Sequence, residues 1–379
     1  MPEPASPPMP RTMHPRLAWL GALDRPADVL DWSLTDWTHV VRVARSLRLL
    51  ARLAEAVGEA GLDDRLPLPV RQHLLAERRR SRARLRSLNW TLEHVGQALA
   101  PLDGPRLLLK GAAYLGQNLV IARGRLPSDL DILVPREHLA AAQELLKGHD
   151  WREVELDAHD QRYYREWSHE VPAMHNPRFE LELDLHHGIL PPVATTTVDP
   201  DLLLDRCMPS ALPGWRVLCP VDQVLHSAAH LYLDSELRNR VRDLVDLKGL
   251  LAHFGRHSPF WNDLEARTFE LGLQGPMALA LHHLQHWLGA DVPADMARRL
   301  GAAGLTPWRR AWLMPLLDSV MLPLKPDDAE PASRRMAARA LLARYHWNRL
   351  PLHLLVPHLL RKSARRAPRS PLAEDADDN

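Results

Sequence analysis

The segment from Leu107 to Val134 constrains the fold of this 379-residue chain more than any other stretch. It reads LLLKGAAYLGQNLVIARGRLPSDLDILV, so two short apolar runs flank a stretch with helical spacing. Strand alternation in the second run places Asp129 and Asp131 on one face and the intervening apolar residues on the other. Neighbouring carboxylates repel unless a cation lies between them, and a divalent metal ion often fills that place. The segment therefore predicts a strand–helix–strand unit with a metal-binding end; an ordinary polar strand end is the alternative.

A second alternating run supplies more acidic side chains. Phe179 to His187 reads FELELDLHH, which predicts a half-buried strand with its leucines on one face. The opposite face holds Glu180, Glu182, Asp184 and His186. If this strand lies beside the strand of Asp129 and Asp131, a third carboxylate joins the pair. Alternation alone does not choose among the three candidates.

Helical spacing dominates the rest of the chain. One amphipathic helix is predicted over Asp36 to Ala60 and another over Val70 to Leu99. In the middle of the chain, Arg106 to Lys110 predicts a short buried strand and Ala112 to Ala122 a helix. The sequence therefore predicts an α+β fold, in which N-terminal and C-terminal helical regions flank a small mixed β-sheet. The predicted units are a flexible Pro-rich arm (1–25), an N-terminal helical region (26–103), an α/β core (104–215), a C-terminal helical domain (216–365) and a disordered acidic tail (366–379).

Composition excludes several classes of protein. The formal net charge of +1 gives no strong nucleic-acid signal, and 2 cysteines are too few for a disulfide scaffold. No apolar run approaches the roughly 20 residues that cross a bilayer. The Pro-rich N-terminus also lacks the continuous apolar segment of a secretory signal. These observations predict a cytoplasmic protein without a transmembrane segment.

Residues near the carboxylates are suited to phosphate binding. Gly111 at a strand-to-helix turn would let backbone N–H groups approach a phosphate. Lys110 and Arg125 would add positive charge. Three carboxylates around one or two Mg²⁺ ions make a site for phosphoryl or nucleotidyl transfer, because the metal neutralises triphosphate oxygens and lowers the pKa of an attacking hydroxyl.

Taken in order, these motifs resemble the bacterial family of uncharacterised nucleotidyltransferases, within the polymerase-beta-like nucleotidyltransferase superfamily. The matching motifs are Leu109-Lys110-Gly111, Arg125-Leu126-Pro127-Ser128-Asp129-Leu130-Asp131-Ile132-Leu133-Val134, Asp184-Leu185-His186, the pair His226 and His230, and Arg242-Asp243-Leu244-Val245-Asp246-Leu247.

The resemblance implies an enzyme that moves a nucleoside monophosphate from a nucleoside triphosphate to a hydroxyl of a small molecule or a protein. It implies Asp129, Asp131 and Asp184 as catalytic ligands of Mg²⁺ or Mn²⁺. The residues that it implies for nucleotide or phosphate binding are Lys110, Gly111, Arg125 and Ser128. Glu182 is the alternative third carboxylate. Glu182 and His186 are also candidates for side chains that contact the metal ligands without binding the ion themselves.

One position departs from the wider superfamily, whose members place Gly-Ser or Gly-Gly at the turn. Here Ala112 follows Gly111, so no hydroxyl is available to the triphosphate. The alternative prediction is a nucleotide- or partner-binding protein on the same fold, with weak or absent turnover.

The helical region after residue 216 contains a second group of histidines and aspartates. His226 and His230 are four residues apart on one helix face, which is the spacing of a shared metal in a His/Asp hydrolase and also of ordinary packed histidines. Asp243 and Asp246 are predicted to pair with neighbouring arginines. The expected partners are Arg238, Arg240 and Arg242.

Overall fold

The computed structural model describes residues 13–238, 240–325 and 327–357. The first half of the predicted arm and the predicted acidic tail lie outside these residues. The described part of the arm is packed, because Pro15–Leu23 forms a 3₁₀ helix in which Leu17 and Leu20 are buried. A second 3₁₀ helix, Pro26–Asp31, leads into the N-terminal helices.

Three α-helices form the described N-terminal helical region. They are α1 (Leu34–Ser46), α2 (Leu50–Glu59) and α3 (Leu68–Ala98). Ser33 caps α1, because its Oγ accepts the N–H of Asp36 while the Asp36 carboxylate accepts the N–H of Ser33. The single helix predicted over Asp36 to Ala60 is wrong. The chain breaks at Arg48, whose left-handed backbone (φ of 56°) cannot continue a helix, although buried leucines on both sides continue the apolar pattern.

The described strands are β1 (Leu107–Leu108), β2 (Asp129–Leu133), β3 (Arg152–Glu153), β4 (Met174–His175), β5 (Glu182–His186), β6 (Met208–Pro209) and β7 (Arg216–Val217). They form one mixed sheet with the order β3-β4-β5-β2-β1-β7-β6. β2 pairs in parallel with β5 on one side and antiparallel with β1 on the other. The sheet between two helical regions confirms the predicted α+β fold.

Short helices connect these strands. They are α4 (Lys110–Gly116), α5 (Leu139–Lys147), α6 (Ala158–Arg162) and α7 (Pro200–Leu204). The strand predicted over Arg106 to Lys110 is shorter than expected, because α4 already begins at its last residue. The helix predicted over Ala112 to Ala122 ends at Gly116, because Asn118 has a left-handed backbone with φ of 55°.

The C-terminal helical region packs around α8. Its described helices are α8 (Pro220–Leu233), α9 (Val241–Phe254), α10 (Phe260–Glu270), α11 (Gln274–Leu288), α12 (Ala294–Gly304), α13 (Pro307–Met321) and α14 (Ala332–Arg349). α8 contacts α9, α10 and α11, and its buried side chains join one apolar core with the sheet and the N-terminal helices. Across the described residues, no helix is both long and apolar enough to cross a bilayer.

Candidate active site

Pairing of β2 with β5 brings acidic residues from two distant segments onto one face of the sheet. The parallel register places Asp131 opposite Asp184 and Asp129 opposite Glu182. Directly paired residues point to the same side of a sheet. The apolar residues that alternate with them are fully buried on the other side. The strand pattern therefore gathers the predicted carboxylates on one face.

Of the three candidates for the third carboxylate, Asp184 is the one that shares a polar cleft with Asp129. Asp184 and Asp129 line this cleft, which has a volume of about 490 Å³ and lies between the sheet and both helical regions. The Glu182 side chain is 56% exposed, and its Oε1 lies 3.6 Å from Nδ1 of His175 on β4. Glu180 forms an ion pair with α3 instead. The geometry therefore favours Asp184 over its two neighbours.

Asp131 is buried beneath the cleft and contacts two basic side chains. Nζ of Lys110 donates to Asp131 Oδ1 at 2.7 Å, and Nε2 of His186 lies 3.1 Å from the same oxygen. Burial alone would raise the pKa of Asp131, but the charge of Lys110 and the hydrogen bond from His186 hold that pKa well below its usual range. The Asp131 carboxylate in turn raises the pKa of Lys110 despite the burial of the ammonium. The charge of Lys110 is therefore already compensated within the protein.

Asp184 binds a proton more tightly than an ordinary carboxyl group. Burial, followed by the negative charge of Asp131, raises the pKa of Asp184 to about 7. A carboxyl group with this pKa exchanges its proton near neutral pH, which suits a general acid or base. A bound cation would also relieve the same crowding of negative charge.

Two of the predicted phosphate-binding residues, Gly111 and Arg125, contact each other. Gly111 lies in the first turn of α4, where an added Cβ would be 2.0 Å from Nη1 of Arg125. The buried Arg125 donates through Nε to Oδ2 of Asp246 at 3.0 Å, so its charge is also compensated. Glycine at position 111 therefore makes room for this guanidinium. The remaining predicted residue, Ser128, lies at the cleft and donates through Oγ to Oδ1 of Asp129 at 3.2 Å.

Arg48 is a cleft cation that the sequence does not reveal. It lies in the break between α1 and α2, is exposed, and lines the cleft together with Ser128 and Asp129. Within the part of the chain that the structure describes, Arg48 forms no ion pair. The other lysine and arginine side chains of the cleft each have a carboxylate partner, and they are Lys110, Arg125, Arg238, Arg240 and Arg242. The sequence does not indicate that Arg48 lines a cleft, because the helical spacing on both sides predicts an unbroken helix at this position.

A further acidic group comes from a segment outside both predicted strands. Glu170 lines the cleft, and an antiparallel backbone bridge pairs it with His186. Its Oε2 lies 3.5 Å from Nδ1 of His186. No alternation or motif in the sequence identifies Glu170, because its position at the cleft depends on backbone pairing with the distant residue His186.

The histidines of α8 are not members of the group of possible metal ligands that the described residues contain. His226 and His230 have ring centroids 6.3 Å apart, and burial lowers the pKa of His226 to about 3. In the described ranges, one group of His, Cys, Asp or Glu side chains has three ligand atoms within 4.8 Å of one another, and it consists of His169, Glu170 and His186. The structure therefore does not favour a hydrolase site on α8.

Asp243 and Asp246 both have arginine partners. As predicted, Arg240 pairs with Asp243. The predicted partners of Asp246 are wrong, because this carboxylate contacts Arg52 of α2 at 2.6 Å and Arg125 at 3.0 Å. Packing of α9 against the N-terminal helices and the core, rather than proximity in sequence, decides this pairing.

A family model matches this chain over residues 33–289, and its description is uncharacterised nucleotidyltransferase. The match begins at the residue that caps α1 and ends just after α11, so it includes every residue of the polar cleft named above. Comparison with curated proteins and with solved structures gave no significant match.

Proposed function

The chain belongs to the family of uncharacterised nucleotidyltransferases. We propose that it transfers a nucleoside monophosphate from a nucleoside triphosphate to a hydroxyl group, and that the reaction takes place in the polar cleft beside β2 and β5. The acceptor would be a small molecule or a protein side chain, and pyrophosphate would be released. One observation carries the proposal: β2 and β5 present Asp129, Asp131 and Asp184 on one face of the sheet beside a polar cleft.

Mg²⁺ or Mn²⁺ is the proposed cofactor, with Asp129, Asp131 and Asp184 as its ligands. The donor set suits such an ion, because all three side chains are carboxylates and hard cations prefer oxygen donors. The raised pKa of Asp184 supports the assignment, since it reports crowded negative charge that a cation would compensate. When bound, a divalent ion would neutralise triphosphate oxygens and lower the pKa of the attacking hydroxyl.

The surrounding side chains have separate roles in this proposal. Asp184 would accept the proton of the acceptor hydroxyl, whose own pKa a bound divalent ion would lower. Lys110 and His186 contact Asp131 from two sides and thereby orient its carboxylate. Arg48, whose charge has no partner within the described residues, would contact the triphosphate. The cleft volume of about 490 Å³ is in the range of small-molecule sites.

Nucleotide binding without turnover is the second candidate function. Two observations favour it. Ala112 provides no hydroxyl after Gly111, and Nζ of Lys110 lies 2.7 Å from Asp131. In this case the Lys110 ammonium would take the place of a metal ion next to Asp131. The cleft would then bind a nucleotide without activating it.

Pyrophosphate release distinguishes the two candidates. The full-length protein is incubated with each nucleoside triphosphate, labelled at the α-phosphate, in the presence of Mg²⁺ or Mn²⁺. Pyrophosphate and label transfer to protein or small molecules are then measured. Transfer predicts metal-dependent release that is lost in Asp184→Asn and in the double variant Asp129→Asn/Asp131→Asn, and retained in the control Glu182→Gln. Binding without turnover predicts that a triphosphate raises the unfolding temperature while no pyrophosphate forms. Unchanged release in the carboxylate variants would contradict the site assignment.

A further inference from the structure

The compact group of His169, Glu170 and His186 lies beside Asp131 and contains none of the three carboxylates proposed as Mg²⁺ ligands. We propose that this group binds a divalent transition-metal ion such as Zn²⁺. Two imidazoles and one carboxylate are ligands that Zn²⁺ accepts, whereas Mg²⁺ prefers oxygen donors alone. The proposal does not rest on the transfer reaction, because none of these three residues is a proposed Mg²⁺ ligand; His186 has a role in both proposals, through its contact with Asp131.

Distances within the group are close to those of a metal site. Oε2 of Glu170 lies 3.5 Å from Nδ1 of His186 and 3.9 Å from Nε2 of His169. The three residues can each offer one ligand atom within 4.8 Å of the other two. In a tetrahedral site with bonds of about 2.0–2.1 Å, two ligand atoms are about 3.4 Å apart. Small side-chain rotations therefore suffice to bring the three groups onto one ion.

Main-chain hydrogen bonds hold the ligands in place before any ion binds. The segment that contains His169 and Glu170 runs antiparallel to the end of β5. Backbone hydrogen bonds of 3.0 and 2.8 Å lie on either side of the bridge between Glu170 and His186. Because both ligand-bearing segments are already paired, binding requires little further ordering of the main chain.

An unpartnered buried nitrogen points into the group. The His186 side chain is only 4% exposed, and its Nδ1 has no hydrogen-bond partner among the described residues. Buried polar atoms are nearly always hydrogen-bonded, so a free one calls for a ligand. The other ring nitrogen, Nε2, lies 3.1 Å from Oδ1 of Asp131. Metal-bound histidines commonly donate their second N–H to a carboxylate, and this contact favours the tautomer with a free lone pair on Nδ1.

A proton is the competing occupant of His186 Nδ1. A charged His186 would form ion pairs with Asp131 and Glu170 without any metal ion. His169 favours the metal, because it adds a second nitrogen to the group and no negative charge. Its ring centroid lies 5.5 Å from that of His186. Protonation of His186 does not require a second imidazole, whereas a metal ion would be bound by both rings.

The site would have an open position toward the cleft. Three protein ligands leave a fourth position on a tetrahedral ion, and this arrangement is typical of catalytic rather than structural zinc sites. Glu170 lines the cleft, so the fourth ligand would come from that side. Water or an oxygen atom of a molecule bound in the cleft has the appropriate chemistry.

Metal binding by the full-length protein tests the proposal. The protein is first treated with EDTA. Zn²⁺ affinity is then measured by competition with a chromogenic chelator, and Co²⁺ binding by visible absorption. We expect a single tight equivalent of Zn²⁺ and the intense Co²⁺ bands of a four-coordinate site. His169→Ala is expected to weaken Zn²⁺ binding by at least about 100-fold. The matched control, His175→Ala, removes a histidine of β4 outside the group and is expected to leave both readouts unchanged.

Two further variants keep the outcome decisive. Glu170→Gln retains the side-chain shape and is expected to weaken Zn²⁺ binding and alter the Co²⁺ spectrum, even if His169→Ala does not fold. Asp184→Asn, which should abolish nucleotide transfer, is expected to bind Zn²⁺ as the wild type does, so failure of one proposal is distinguishable from failure of the other. The site is overturned if the wild type binds no Zn²⁺, or if neither His169→Ala nor Glu170→Gln changes the affinity.

Discussion

Asp184 links the chemistry of the cleft to the stability of the fold. Burial and the nearby Asp131 raise the pKa of Asp184 from 3.8 to about 7, so ionisation of this side chain opposes folding. In the unfolded chain the same carboxyl group ionises near its ordinary pKa. The destabilisation is therefore absent below about pH 4, grows as the pH rises, and is complete above about pH 7.

Replacing Asp184 with asparagine is expected to stabilise the metal-free protein at alkaline pH. The gain in the free energy of unfolding over wild type should be larger at pH 8 than at pH 5 by about 1–3 kcal/mol, with allowance for the partial exposure of the side chain. Urea unfolding at the two pH values measures it. The control Glu182→Gln removes an exposed carboxylate of the same strand, and its effect should stay within about 0.5 kcal/mol. A gain that does not vary with pH would contradict the raised pKa.

Arg48 is the residue on which the proposed triphosphate contact depends. Arg48→Ala is expected to weaken the binding of a non-hydrolysable triphosphate analogue about 10-fold, because one charge-assisted contact is lost. Stability should change little, since the side chain is exposed and has no ion-pair partner among the described residues. Calorimetric titration measures the affinity. Arg48→Lys should recover part of it, and Arg65→Ala, an exposed arginine outside the cleft, should have no effect. Equal affinity in wild type and Arg48→Ala would exclude this contact.

At the scale of elements, the junction between β1 and α4 depends on one glycine. A Cβ at position 111 would lie 2.0 Å from Nη1 of Arg125 and would displace the guanidinium from Asp246. Gly111→Ala is therefore expected to lower the free energy of unfolding by about 2–4 kcal/mol, through overpacking and disruption of a buried ion pair. Denaturant unfolding measures the loss.

Gly275→Ala is the matched control for Gly111→Ala. Gly275 lies in the first turn of α11, and the nearest heavy atom to an added Cβ is 3.7 Å away. Because alanine also favours the helix, the change in stability should be within about 1 kcal/mol of wild type. If the two alanine variants were equally stable, Gly111 would not be making room for Arg125. The function of the glycine would then have to be sought in ligand binding.

Local periodicity explains which elements could be predicted from the sequence. β2 and β5 alternate, so their existence and the shared face of Asp129 and Asp184 follow from side-chain spacing together with the motif resemblance. The break at Arg48 did not follow, because the leucines on both sides keep helical spacing. Glu170 and the Gly111–Arg125 contact did not follow either, because pairing between distant segments determines both. The periodicity of apolar residues predicts which face of a helix or strand is buried, but it does not predict which distant segment packs against that face.

At the scale of the whole molecule, one carboxylate joins the three regions that surround the cleft. Asp246 on α9 accepts hydrogen bonds from Arg52 on α2 at 2.6 Å and from Arg125 of the core at 3.0 Å. Only 2% of the Asp246 side chain is exposed. Burial would raise the pKa of Asp246, but the two arginines lower it below 3.8. Its stabilising contribution is therefore present above about pH 4 and is lost as the pH falls through the folded-state pKa.

Asp246→Asn would leave the buried Arg125 and the partly buried Arg52 without a full counter-charge, so we expect a loss of about 3–5 kcal/mol in the free energy of unfolding at neutral pH. The loss should be constant from pH 8 down to about pH 4 and diminish only below 3.8, where the unfolded wild-type carboxyl group binds a proton before the folded one does. Asp327→Asn is the matched control, because Asp327 pairs with Arg42 in an ion pair whose carboxylate is 83% exposed, and its effect should be much smaller than that of Asp246→Asn. Denaturant unfolding of both variants from about pH 3 to pH 8 measures the two losses. If Asp246→Asn proves no more harmful than Asp327→Asn, the cleft does not depend on this junction, and the three regions must be held together by their apolar core alone.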